Sequence, residues 1–176
     1  MFRALLTFAL ATTLITTAQA QSPDQGFVTG PVIEEFGPAA AVDVDLVIPE
    51  DLTLKVAFDI TQASEDGAAG RPFTTVARFL NMHAAAGVPL ERIQPAIVVH
   101  GGATRDLVQP AEGEETENDR LIRALLDAGV PIYLCGQSAA AHGIEKEDLI
   151  PGVELALSAM TAHAILSAEG YSLNPF

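Results

Sequence analysis

The 176-residue chain has no tryptophan, a single cysteine, and only 9 lysines and arginines against 23 aspartates and glutamates. One cysteine excludes an internal disulfide, so no covalent cross-link holds this fold. The formal net charge of −14 repels nucleic acid and anionic lipid, and no basic stripe with interleaved aromatic residues offsets it. Nucleic-acid partners are therefore not expected. Beyond Ala20 no apolar run is long enough to cross a bilayer.

Met1 to Ala20 has the make-up of a secretory signal peptide. Arg3 precedes the apolar run Ala4 to Leu14, and Ala18-Gln19-Ala20 places small residues where a signal peptidase reads. A membrane anchor fits less well, because the run is short and carries several threonines. Cleavage before Gln21 is expected to leave a soluble periplasmic or secreted chain, more acidic by the loss of Arg3, with no membrane attachment. What remains suits one compact domain. An exported lone thiol is either buried, paired between chains, or kept reactive by an external reductant.

Residues 21–51 carry prolines at 23, 31, 38 and 49 and glycines at 26, 30 and 37, which predicts an irregular acidic leader. Within it Val42 to Val47 alternates apolar and acidic residues, as a short edge strand or an extended arm on a partner would. The domain proper is expected over 52–176. Leu54 to Ile60 predicts a first strand, Thr61 to Arg71 a flexible connection, and Pro72 to Ala86 a helix with Val76, Phe79, Leu80 and His83 on one face. Ile93 to His100 predicts a second strand, Ala103 to Val108 one or two helical turns, and Gln109 to Glu117 an acidic loop. Asn118 or Asp119 can cap a helix whose stripe is Leu121, Ile122, Leu125 and Leu126. Val130 to Leu134 is a buried strand ending at Cys135, followed by a helix that stops at Gly143. Glu145 to Ile150, Val153 to Leu157, Ser158 to Glu169 and Tyr171 to Leu173 predict a short helix, a fourth strand, a last helix and a last strand.

Strand and helix alternate throughout, which argues for an α/β fold with a mainly parallel sheet covered on both faces, in flavodoxin-like layering. Sites in such sheets gather at the carboxyl ends of the strands. The loops of interest are thus Thr61 to Arg71, His100 to Ala103 and Cys135 to Ser138.

Cys135 stands in the strand-to-helix turn, where the amides of Gly136, Gln137 and Ser138 point at the sulfur and favour thiolate over thiol. A packed, inert cysteine is the alternative. His100 at a neighbouring strand end is a candidate base or hydrogen-bond partner, or a histidine satisfying backbone groups at the core rim. Asp59, Gly101 and His142 are further candidates for the same crevice, and Glu65 and Asp66 are candidates that also suit a solvated loop. His83 and His163 fall in apolar helical patterns that predict packing. Gly101-Gly102 lacks the spacing of a nucleotide fingerprint, so no cofactor is expected. Cys135, His100 and His142 have no close ligand pair among them, so no metal is expected either. Gly136-Gln137-Ser138 lacks the closing glycine of a serine-hydrolase elbow.

Cys135-Gly-Gln-Ser-Ala-Ala-Ala-His-Gly143 resembles the Cys-x-x-Ala/Ser-Ala segment of the DsrE/DsrF-like proteins, small α/β sulfur-relay proteins. The resemblance extends from Leu54 to the C-terminus through Val98-Val-His-Gly101, the helix from Asn118 to Gly129 that runs into Val130-Pro-Ile, Leu149-Ile-Pro-Gly-Val and Glu169-Gly-Tyr171. It implies a three-layer α/β/α fold assembled as trimers or hexamers. It also implies that Cys135 accepts sulfane sulfur as a persulfide and passes it to a partner thiol, on an acceptor protein or a small molecule. The chain would then be a sulfur carrier or persulfide transferase. A non-catalytic binding or assembly module and a thiol redox sensor are the alternative functions. The acidic leader and the export signal are departures from the cytosolic relay members.

Overall fold

The computed structural model describes residues 26–65 and 67–174. The expected signal peptide at Met1 to Ala20 and the candidate Asp66 lie outside the described residues. Two short strands of the leader, β1 (Phe27–Val28) and β2 (Ala39–Ala40), pair antiparallel. The domain then runs β3 (Leu54–Ile60), α1 (Arg71–Ala85), β4 (Ile93–Val99), α2 (Glu117–Asp127), β5 (Ile132–Cys135), α3 (Gly136–His142), β6 (Glu154–Ala156), α4 (Ala159–Ala168) and β7 (Ser172–Asn174). A 3₁₀ segment, Gly101–Leu107, fills the turns expected after β4.

β3 to β7 form a parallel sheet of five strands in the order β6-β5-β4-β3-β7. Successive strands step outward from β3 to β6, and α4 then carries the chain back across the sheet to β7 on the far side of β3. The two faces differ in composition. One presents Phe58, Ile60, Ile97, Val99, Ile132 and Leu134, and packs on α1 and α2 with Phe73, Val76, Leu80, Leu121, Ile122 and Leu125. The other presents the small side chains Ala57, Ala96, Val98 and Ala156, with Cys135, beneath Ala159, Ala162 and Leu166 of α4. Short side chains let the helix axis come close to the sheet, and Leu166 fills what space remains. The result is a three-layer α/β/α domain, as the alternation of strands and helices requires.

One local expectation is corrected. α2 begins one residue before Asn118 and is capped by Thr116, whose hydroxyl accepts from the Asp119 amide at 3.2 Å while the Asp119 carboxylate accepts from the Thr116 amide at 2.8 Å. Asp119 thus acts as the reciprocal partner of a capping box, a role that its position in the first turn also suits. The leader is fastened to α1 by the fully buried Asn81. The Asn81 amide oxygen accepts from the backbone of Val32 and Ile33, and its amide nitrogen donates to the carbonyls of Ile33, Phe36 and Gly37. Gly37 has φ 66° and lies so close to α1 that a Cβ there would come within 2.3 Å of the Arg78 nitrogen. Only glycine fits both demands.

Asn81→Ala strips five backbone groups of their partner, so it should lower unfolding stability by about 3 kcal/mol and expose the 30–40 segment to protease. Urea denaturation and limited proteolysis check this. An unchanged midpoint would show that the leader is not fastened through this side chain.

Candidate functional site

Register along the sheet brings the predicted residues to one rim. Ile60 pairs with Val99, Val99 with Leu134, and Cys135 with Ala156, so β3, β4, β5 and β6 end side by side. Because neighbours in register point to the same face, Asp59, Val98, His100 and Cys135 all lie on the small-residue face that α4 covers.

Cys135 is the N-cap of α3 and retains 7% of its surface. Its turn is built by close approach. A Cβ on Gly136 would stand 2.6 Å from the Ala156 carbonyl oxygen and 3.2 Å from that of Leu157, so glycine alone lets the segment leading into α4 press against the turn. Gln137 fastens the same segment by donating to the Leu157 carbonyl at 3.2 Å. The Ser138 hydroxyl accepts from the Gly101 amide at 3.2 Å and ties the β4 loop to the turn.

Burial of the sulfur pushes the thiol pKa up, but four donors outweigh it. These are the backbone N–H of Ser138, that of Ala159 at the start of α4, the Ser138 hydroxyl and the backbone N–H of Gln137, and the net effect is a thiol pKa below its ordinary value. The sulfur therefore sits between the first turns of two helices.

Asp59 is flanked by two imidazoles. His163 Nε2 lies 2.7 Å from Oδ1, and His100 Nε2 lies 3.2 Å from both carboxylate oxygens. An ionised carboxylate only accepts, so each ring carries its proton on Nε2 and leaves Nδ1 as the free nitrogen when neutral. His100 thus directs Nε2 to β3 rather than to the sulfur. His163, expected to be merely packed, belongs to this cluster. The pairing spans 104 residues, and nothing in the local pattern of α4 announces it. His142 is at the far end of α3 and exposed. His83 packs against the Phe79 ring at a centroid distance of 4.4 Å, as expected.

Three cavities lie elsewhere. One of about 620 Å³ separates Pro31 to Phe36 from α2, one of about 760 Å³ opens at the amino ends of β4 and β5, and one of about 210 Å³ lies among Ser64, Arg105, Asp106 and Asp119. Cys135 lines none of these three. Among the described residues no group of three His, Cys, Asp or Glu side chains is placed to hold a metal ion.

This arrangement defines a class: a parallel-sheet α/β protein with a hydrogen-bonded cysteine at the carboxyl rim. The chain belongs to the DsrE/DsrF-like family, whose sequence profile matches residues 55–175. Two solved structures share the fold. A protein of unknown function, MTH1491 from Methanobacterium thermoautotrophicum, is 19% identical with a TM-score of 0.54, covering 70% of this chain and 99% of its own. The ychN protein of E. coli is 16% identical with a TM-score of 0.51, covering 70% and 100%. No curated protein matches the sequence. Family membership supports a sulfur-relay type of role at the level of the family.

Ser138→Ala removes one donor from the sulfur. It should move the pH midpoint of Cys135 alkylation up by about half a unit and slow alkylation at neutral pH roughly threefold. Stopped-time iodoacetamide labelling with mass detection checks this, and an unshifted midpoint would contradict it. Asp106, in the smallest cavity, is pushed above its ordinary value by burial. The Ser64 amide and hydroxyl oppose that rise, and nearby Asp119 adds to it. A carboxyl raised in the folded state contributes stability below its unfolded pKa and loses it as pH rises through the folded value. Asp106→Asn keeps an acceptor for Ser64 and should flatten the melting temperature over that mildly acidic window. A decline just as steep as in the parent protein would rule out Asp106 as its source.

Proposed function

We propose that this protein is an exported sulfur carrier in which Cys135 holds sulfane sulfur as a persulfide. The observation that carries the reading is the position of Cys135, at a strand end within the family's matched region, with its thiol pKa lowered by donors from two helices. The Cys135 thiolate attacks the outer sulfur of a donor persulfide. A new sulfur–sulfur bond forms, the donor's breaks, and the donor leaves as a thiolate. In the second step an acceptor thiolate attacks the outer sulfur on Cys135, which departs as thiolate. Sulfane sulfur moves at constant oxidation level, so no electron acceptor is required.

His100, Gly136, Gln137 and Ser138 support the thiolate in this reading. Ser138 and Gln137 act directly on the sulfur, whereas Gly136 and the His100-Gly101 segment shape the turn. Asp59, Gly101 and His142 remain pocket candidates; Gly101 bonds the sulfur turn through Ser138, Asp59 is on the sheet face of Cys135, and His142 is at the far end of α3. The carboxyl rim of the sheet, where Cys135 keeps a small part of its surface exposed, suits a donor or acceptor offered by another protein or by a small thiol. The outer side of α4, with Met160 and Ile165 exposed beside Leu155 and Leu157, supports assembly into the homo-oligomer that the family resemblance implies. The signal peptide at Met1 to Ala20 directs the chain to the periplasm or the exterior.

Incubation of the reduced mature protein with polysulfide, followed by intact-mass analysis, should show one adduct of about 32 Da that Cys135→Ser abolishes. A parent protein that gains no such mass, or a serine variant that gains it equally, would count against Cys135 as the carrier.

A further inference from the structure

We infer that Asp59 and His163 are positioning residues that hold the first turn of α4 against Cys135. The inference rests on the reading of Cys135 as the working group, but it concerns how that thiol is kept reactive rather than what it carries.

The geometry closes a ring around the sulfur. Ala159 at the first turn of α4 packs with Cys135 in one cluster, and His163 lies one turn further along the same side of the helix. His163 reaches across β4 to Asp59 on β3. Asp59 also binds His100, the next residue, Gly101, donates to Ser138, and Ser138 stands beside Cys135. Thus the β3 carboxylate fastens both structures that give donors to the sulfur: α4 through His163, and the Ser138 turn through the β4 loop.

Gln137 and the close approach at Gly136 hold the connection that precedes α4, but within the helix itself little else restrains that end. The helix is ten residues long, and only Ala159, Ala162 and Leu166 of it are buried, two of them alanines that hold by contact alone. Ser158 caps the helix within its own first turn and gives no tie to the sheet. The opposite end has its own polar tie, Lys55 Nζ donating to the Glu169 carbonyl at 3.0 Å. The His163–Asp59 bond is the corresponding tie at the sulfur end. Lys55, Tyr133 and Glu154 share the sheet face by strand alternation, and Tyr171 packs beside them. Among the described residues, the partners of Asp59 are the two histidines.

The test uses the reduced mature protein and reads the pH profile of Cys135 alkylation, a property independent of sulfur transfer. His163→Leu should move the alkylation midpoint up by about half to one pH unit, because the Ala159 amide drifts from the thiolate. His163→Gln, whose amide can still donate to Asp59, should restore most of the shift. Asp59→Leu should reproduce it. A midpoint that stays in place in His163→Leu or Asp59→Leu protein that melts cooperatively would overturn the inference, as would equal shifts in the Leu and Gln variants. Should His163→Leu fail to fold, the Asp59→Ala variant, which removes the acceptor altogether, decides: a raised midpoint supports the tie and an unmoved one overturns it. Failure of persulfide loading with these shifts intact would count against the carrier reading alone.

Discussion

The contact on which the site depends is the approach of the β6–α4 connection to the turn after β5. Gly136 lets the Ala156 carbonyl come to a distance that any side chain would prevent. From that approach follow the burial of the sulfur, the arrival of the Ala159 amide and the placing of α4 over the small-residue face. Burial by itself disfavours a thiolate. The donors of two helix starts reverse that effect, and they do so only while the connection stays in place.

The sheet serves this contact through its asymmetry. One face carries the large aliphatic and aromatic side chains and takes most of the hydrophobic stabilisation, at about 1.5 to 3 kcal/mol for each fully buried large residue. The other face carries mostly small side chains, with Cys135, Asp59 and Tyr133, under a single helix. That division separates stability from chemistry.

Much of this was legible in the sequence, and what was not follows a physical pattern. Alternating strand and helix periods gave the layered parallel fold, and the run from Val130 to Gly143 placed Cys135 in its turn, because both signals are local. The rim loops after β3, β4 and β5 could likewise be named in advance. Contacts joining distant segments left no local trace. Asn81 reads as an ordinary polar residue within α1, yet it fastens the leader. His163 reads as part of an apolar helix, yet it meets Asp59. The cap of α2 was misplaced because Thr116, Asn118 and Asp119 are all good capping residues and only geometry chooses among them.

The central claim is that Cys135 takes up sulfane sulfur and gives it away. The most direct measurement is a single-turnover chase, in which protein loaded from polysulfide and freed of excess donor is mixed with a reduced acceptor thiol. The account predicts that the added sulfur leaves Cys135, appears on the acceptor as sulfane sulfur in equal amount, and leaves the free thiol behind. An adduct that stays on the protein, or a loss unmatched on the acceptor, would contradict it.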